Sequence, residues 1–222
     1  MSSLDAPAVS ALLKKLFARA DRDDEAAFAR VQTELDHLDR PPDSRRRAEL
    51  MRDVYMPVSP DVGRLLYMLA RNRRAQTIVE FGTSFGISGI HLAAALRDEG
   101  RGRLVTTELD PVKADRAAQN FRAAGLAEWI EIRVGDAFDT LASGGGGNID
   151  LLLLDGWKEL YLPLLKFLEP QLSPGALVVA DDLAIAPEAL APYLHYVRDA
   201  NNDYVSATLT LGDHIELSLR TG

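Results

Sequence analysis

Residues 77–88 read Thr-Ile-Val-Glu-Phe-Gly-Thr-Ser-Phe-Gly-Ile-Ser. Thr77–Phe81 is a short apolar run that ends on a glycine-rich turn, and helical character follows over 89–96. Strand, turn and helix in this order are how an open α/β sheet presents a ligand site at the carboxyl end of a strand. The glycines Gly82 and Gly86 let backbone approach a ligand closely. Their spacing is Gly-x-x-x-Gly, which is not the Gly-x-Gly-x-x-Gly of dinucleotide enzymes.

Downstream the same rhythm repeats. Arg103–Glu108 reads as a second strand. Asp110-Pro111 caps a helix that runs to about Ala124, and Gly125 suits its end. Trp129–Val134 is a third strand. Ile149–Asp155 is a fourth, with the continuous apolar run of a strand buried on both faces. Leu160–Leu168 is helical, and Ala176–Ala180 is a fifth strand. Such alternation predicts a doubly wound, Rossmann-like α/β sheet, mostly parallel. The tail differs: residues 204–211 and 214–219 alternate apolar and polar around Gly212-Asp213, a hairpin signal. The hairpin adds an antiparallel strand and brings the sheet to seven strands. Residues 144–147 read as a flexible glycine loop.

Upstream, residues 10–38 have helical spacing, with the polar stretch Asp21–Glu25 expected to split them into two helices and Pro41-Pro42 to end them. Ser59-Pro60 reads as a cap and first turn of a helix reaching about Ala70. The chain is expected to be one domain over 1–222. Residues 1–58 would form a helical lid or homodimerisation segment, and 59–222 the cofactor-binding core.

Composition narrows the function. The 222 residues contain no cysteine, so disulfides and thiolate chemistry are excluded. No apolar run approaches a membrane span, and no signal-peptide pattern opens the sequence; a cytoplasmic protein without membrane contact is expected. The formal net charge of −8 gives no general attraction to nucleic acid. Two basic clusters, Arg45–Arg47 and Arg71–Arg74, read as solvated helix faces or, alternatively, as a local site for an anionic substrate.

Candidate site residues sit at the strand ends. Glu80, Gly82, Thr83 and Ser88 belong to the first turn. Glu108 ends the second strand, 22 residues after Gly86, where a carboxylate can accept from both ribose hydroxyls. Asp136-Ala137 follows the third strand, with Asp136 an acceptor for an adenine amino group. Each feature alone is also met as a tight turn or a solvated cap, but at consecutive strand ends they point together to an adenosine. Asp155 follows the fourth strand, and Asp181-Asp182 the fifth. Three carboxylates without His or Cys suit Mg²⁺, Mn²⁺ or Ca²⁺ and not zinc. The alternative is that Asp155 meets only the cofactor and Asp181-Asp182 caps a loop. The four histidines show no ligand spacing.

The segment Val79–Ser88 resembles motif I of class I methyltransferases. Glu before Phe-Gly and Ser after Gly-Ile are similar to the catechol and caffeoyl-CoA O-methyltransferase family, and the likeness extends from about Met56 to Leu183. The resemblance implies that Val58, Glu80, Ser88, Glu108, Ala137 and Asp155 line an S-adenosylmethionine pocket. Leu154–Tyr161 looks like the family segment with one metal aspartate and the catalytic lysine, here Asp155 and Lys158. Ala180–Leu183 looks like the segment with the other two ligands, Asp181 and Asp182, where Asp-Asn is usual. Gly156 stands where histidine is common, and Ala137 where serine is frequent. The implied reaction is methyl transfer to a small aromatic vicinal diol, with Lys158 as base and Trp157 as a wall for the acceptor ring. A tRNA-modifying O-methyltransferase and a non-catalytic cofactor-binding scaffold are the alternatives.

Overall fold

The computed structural model describes residues 2–38, 40–143 and 145–222. Its centre is a seven-stranded sheet of order β3-β2-β1-β4-β5-β7-β6. The strands are β1 Thr77–Phe81, β2 Arg103–Glu108, β3 Ile130–Val134, β4 Ile149–Leu154, β5 Leu172–Ala180, β6 Tyr204–Leu209 and β7 Ile215–Arg220. The first five pair in parallel, and β7 runs antiparallel between β5 and β6. The expected fold class is therefore present. Strand order reverses at β1, whose neighbours are β2 and β4, so the ligand crevice of such a sheet lies beyond the carboxyl ends of these strands.

Strand β4 ends in four leucines, and their packing shows why. Leu151 and Leu153 enter one apolar cluster while Leu152 and Leu154 enter another, because alternate side chains face opposite sides of a sheet. The first cluster packs α3 (Pro60–Arg73) and α4 (Ile87–Glu99) on one face, with α5 (Pro111–Ala123) contributing Phe121. The second packs α7 (Tyr161–Leu168) and α8 (Pro187–Arg198) on the other, beside the short α6 (Ala137–Thr140). Each fully buried leucine contributes roughly 1.5–3 kcal/mol.

The N-terminal reading needs correction. Helix α1 is a single helix, Pro7–Asp36, and the stretch 21–25 does not break it. That stretch lacks glycine and proline, and one of its acids, Asp24, has partners outside the helix. Asp24 accepts from the Tyr55 and Met56 amides at 2.7 and 2.9 Å, and Arg22 pairs with Asp23 at 2.8 Å. The first half of α1 packs Val9, Leu13, Leu16 and Ala20 on the main core. The second half packs Ala27 and Val31 with Met51, Val54 and the partly buried Trp157. Helix α2, Ser44–Leu50, and the 3₁₀ turn Met51–Asp53 connect α1 to the site.

Three other boundaries differ. Strand β5 begins at Leu172 instead of Ala176, with a register shift against β4 that absorbs Pro174-Gly175. The hairpin connection is five residues, 210–214, and its Asp213 and His214 carbonyls accept from Ala184 and Leu183, bracing the loop after β5. Helices α2 and α8 were not read from the sequence: the first looks like a basic cluster, and prolines 187 and 192 obscure the second. Of the expected 144–147 loop, Gly144 lies outside the described residues; the Gly145 carbonyl accepts from Arg103. Among the described residues, no helix is long and apolar enough to cross a membrane.

Candidate active site

Register brings the chemistry together. Phe81 pairs with Leu154, and Leu154 with Ala180, so the next residues Gly82, Asp155 and Asp181 emerge side by side. The Asp155 amide donates to the Phe81 carbonyl at 2.9 Å, and the Asp181 amide to that of Leu154 at 3.0 Å. Carboxylate oxygens of Asp155, Asp181 and Asp182 all lie within 4.8 Å of one another. Asp182 adopts a left-handed backbone, φ 65°, which turns its side chain back toward the strand ends.

Lys158 completes the cluster. Its Nζ donates to Asp182 Oδ2 at 2.7 Å and to the Tyr161 hydroxyl at 2.8 Å, and lies 3.8 Å from Asp155 Oδ1. Three carboxylates against one ammonium leave the site short of positive charge. Burial and then the Asp181 carboxylate raise Asp155 well above its ordinary range, while burial and then Asp182 push Asp181 up to about 7. An all-oxygen set with this unmet negative charge fits a hard divalent cation.

A second group of expected residues lines one adjoining pocket: Val58, Gly82, Thr83, Ser88 and Asp155, together with Tyr55, Met56, Ser84, Phe85 and Ile87. Gly82 sits at φ 104°, and a Cβ there would overlap the Asp155 carbonyl, so the backbone on which the pocket rests admits no side chain at this point. Gly156 has a simpler reason: a Cβ would meet the Phe81 ring at 2.5 Å.

Glu80 lies behind the pocket, fully buried. It accepts from the Ser88 hydroxyl and from Thr106 at 2.6 Å, and burial pushes it up to about 7. Thr83 joins this chain through Thr106 at 2.6 Å. Glu108 stands at the β2 terminus, accepting from the Ser84 and Asp110 amides at 2.9 and 3.0 Å. Two amides leave further lone pairs on the carboxylate for other donors. Burial raises Glu108 above its usual range. Asp136, exposed, caps α6 by accepting from Phe138 at 2.8 Å, and Ala137 is buried beside it. These last three stand at the ends of β2 and β3, outside the lining of the first pocket.

The arginine clusters are largely paired. Arg46 meets Glu34 and Glu49, Arg71 meets Glu99, and Arg73 meets Asp150. Arg47 pairs with Glu159 and stacks its guanidinium 4.0 Å over the Trp157 ring. One face of Trp157 is thereby covered from α2, and its remaining surface is what an acceptor could meet.

Sequence reasoning passed over several residues. Tyr161 reads from its helical position as a core residue or one supporting the site from behind, and it is both: its side chain is fully buried, and its hydroxyl touches Lys158, for which the i, i+3 spacing was the available signal. Tyr55 stacks on Phe85 at 3.8 Å, and its carbonyl accepts from Ser84 at 2.7 Å. Nothing in the sequence pairs residues that far apart. His91 is structural as read: it is buried, with Nδ1 2.8 Å from the Ile87 carbonyl.

Comparison with known proteins agrees with this architecture. A family described as "Methyltransferase domain" matches residues 79–183. Catechol O-methyltransferase of Niastella koreensis is 38% identical over 129 residues, spanning 57% of this chain and 58% of that protein. Catechol O-methyltransferase of Mycobacterium tuberculosis is 36% identical over 170 residues, 75% of this chain and 72% of that protein. The crystal structure of the O-methyltransferase TomG from Streptomyces achromogenes, solved in complex with SAM, superimposes with a TM-score of 0.70 at 27% identity, covering 90% of this chain and 99% of TomG. With the parallel sheet, the glycine turn and the acidic strand ends in place, the chain belongs to the catechol O-methyltransferase family of class I, S-adenosylmethionine-dependent O-methyltransferases.

Proposed function

We propose that this enzyme is a divalent-cation-dependent O-methyltransferase acting on a small aromatic acceptor with two adjacent hydroxyls. The observation that carries the reading is the convergence of Asp155, Asp181, Asp182 and Lys158 beside the pocket lined by Val58, Gly82, Thr83 and Ser88. S-adenosylmethionine supplies an electrophilic methyl group. Asp155, Asp181 and Asp182 would hold the cation, Mg²⁺ or alternatively Mn²⁺ or Ca²⁺, which supplies Lewis-acid stabilisation of a phenolate.

The chain's own residues do the rest. In our reading Glu108 holds the ribose hydroxyls, Asp136 the adenine amino group and Ala137 the ring edge. A phenol has a pKa of about 10 and is mostly protonated near neutrality. Lys158, acting as base through its nitrogen lone pair, takes the acceptor proton: the O–H bond breaks and an N–H bond forms. The resulting oxyanion attacks in line, so S–CH₃ breaks as O–CH₃ forms and the sulfur leaves as a neutral thioether. Orientation of oxygen to methyl is the chief requirement. Trp157, held by Arg47, and the segment around Met56 shield that geometry from water. The pairing of the arginines inside the chain, with the acidic net charge, disfavours an RNA acceptor.

An acceptor panel tests the proposal. Catechol and substituted catechols should accept labelled methyl groups, whereas resorcinol and hydroquinone, whose hydroxyls are not adjacent, should not. Equal transfer to all three isomers would contradict a site built for adjacent oxygens.

A further inference from the structure

We propose that Tyr161 is a positioning residue that aims Lys158, an inference that rests on reading Lys158 as the base. Lys158 Nζ has three partners: Asp182 Oδ2 at 2.7 Å, Tyr161 Oη at 2.8 Å and Asp155 Oδ1 at 3.8 Å. Two of these are carboxylates assigned to the cation. Carboxylates committed to a divalent ion are weaker partners for a lysine. Tyr161 is the neutral partner and is free of that competition.

The tyrosine is built to hold. Its side chain is fully buried at the start of α7, with the ring edge-on to Tyr193 at 5.9 Å. Its hydroxyl donates to the Asp181 carbonyl at 3.3 Å, so an oxygen lone pair faces Lys158. The ring belongs to the buried apolar cluster, where a hydroxyl is costly unless it is bonded and phenylalanine would fill the same space. Lysine has a flexible four-carbon stem and a point of charge with no fixed direction. Donating one N–H to Tyr161 fixes the rotation of the nitrogen at the end of this stem and so sets where its remaining positions point toward the acceptor hydroxyl. The same hydroxyl joins the base to the backbone of Asp181, so the two are held in one frame.

The test is a double-mutant cycle with Tyr161→Phe and Lys158→Ala, using labelled S-adenosylmethionine and catechol under single-turnover conditions. Tyr161→Phe should lower the rate about tenfold, with KM for both substrates, affinity for S-adenosylhomocysteine and Tm unchanged. In the Lys158→Ala background the same change should have no further effect. A wild-type rate in Tyr161→Phe overturns the proposal, as does an equal loss in both backgrounds, which marks a general structural effect. If Lys158→Ala is crippled while Tyr161→Phe is normal, only the positioning role falls. If Lys158→Ala is itself fully active, the base assignment falls as well.

Discussion

Gly82 faces the backbone carbonyl of Asp155 across the ends of β1 and β4, with no room for a Cβ between them. The glycine thus joins the cofactor turn to the first cation-site carboxylate. Its backbone, φ 104°, is one that other residues rarely adopt. Gly82→Ala should therefore push the two strand ends apart. We expect at least a tenfold loss of S-adenosylhomocysteine affinity by calorimetry and a Tm lower by several degrees, since strain of this kind costs about 1–3 kcal/mol. Wild-type affinity in a folded variant would show that the close approach is incidental.

Charge crowding among Asp155, Asp181 and Asp182, the proposed cation ligands, predicts a trade between stability and function. Asp155 and Asp181 repel one another and Asp182, with Lys158 as the counter-charge. Asp181→Asn removes one negative charge while keeping the shape. Without divalent ions its Tm should equal or exceed that of wild type. Added Mg²⁺ should raise the wild-type Tm through binding to the native state, and should not raise that of the variant. Thermal scans with and without Mg²⁺ decide this.

Glu80 sets a pH dependence. Burial lifts it from 4.5 to about 7, so the folded protein favours the protonated acid more than the unfolded chain does. The stability this lends is complete below about pH 4.5 and is lost as pH rises through about 7, by at most about 3 kcal/mol. Glu80→Gln mimics the neutral form. Its Tm should fall less between pH 5 and pH 8 than that of wild type. Parallel curves for the two proteins would remove Glu80 as the source.

From the unbroken helix α1, Asp24 accepts from the Tyr55 and Met56 amides and so anchors the segment bearing Met56 and Val58. Asp24→Ala should destabilise by about 1–3 kcal/mol, the cost of leaving such donors unpaired. It should also raise KM for S-adenosylmethionine more than it changes kcat, because Tyr55, Met56 and Val58 line that pocket. Chemical denaturation together with steady-state kinetics would show both effects.

This residue illustrates what the sequence did and did not disclose. Strand β4 was legible because a parallel strand buried on both faces reads as a continuous apolar run, and β1 to β3 because short runs rich in Val, Ile and Thr end at turn residues. The convergence of the acidic strand ends was legible only through the resemblance, which implies the strand order; residues after neighbouring parallel strands then meet. The polar run 21–25 misled because Asp24 serves the distant Tyr55 and Met56 amides, which local pattern does not record, and nothing else in the run breaks a helix. Helix α8 was hidden by two prolines, one at a first turn where it is tolerated and one inside the helix. The contact of Tyr161 with Lys158 follows from a helical spacing that was on the page, whereas the Arg47–Trp157 stack joins segments over a hundred residues apart.

The most direct test of the central claim is the initial rate of labelled methyl transfer to catechol by chelator-stripped enzyme across an Mg²⁺ titration. The account predicts near-zero turnover after chelation, saturable recovery with Mg²⁺, and no recovery in Asp181→Asn at the same concentrations. Full turnover in the presence of chelator, with S-adenosylmethionine bound and catechol saturating, would contradict it.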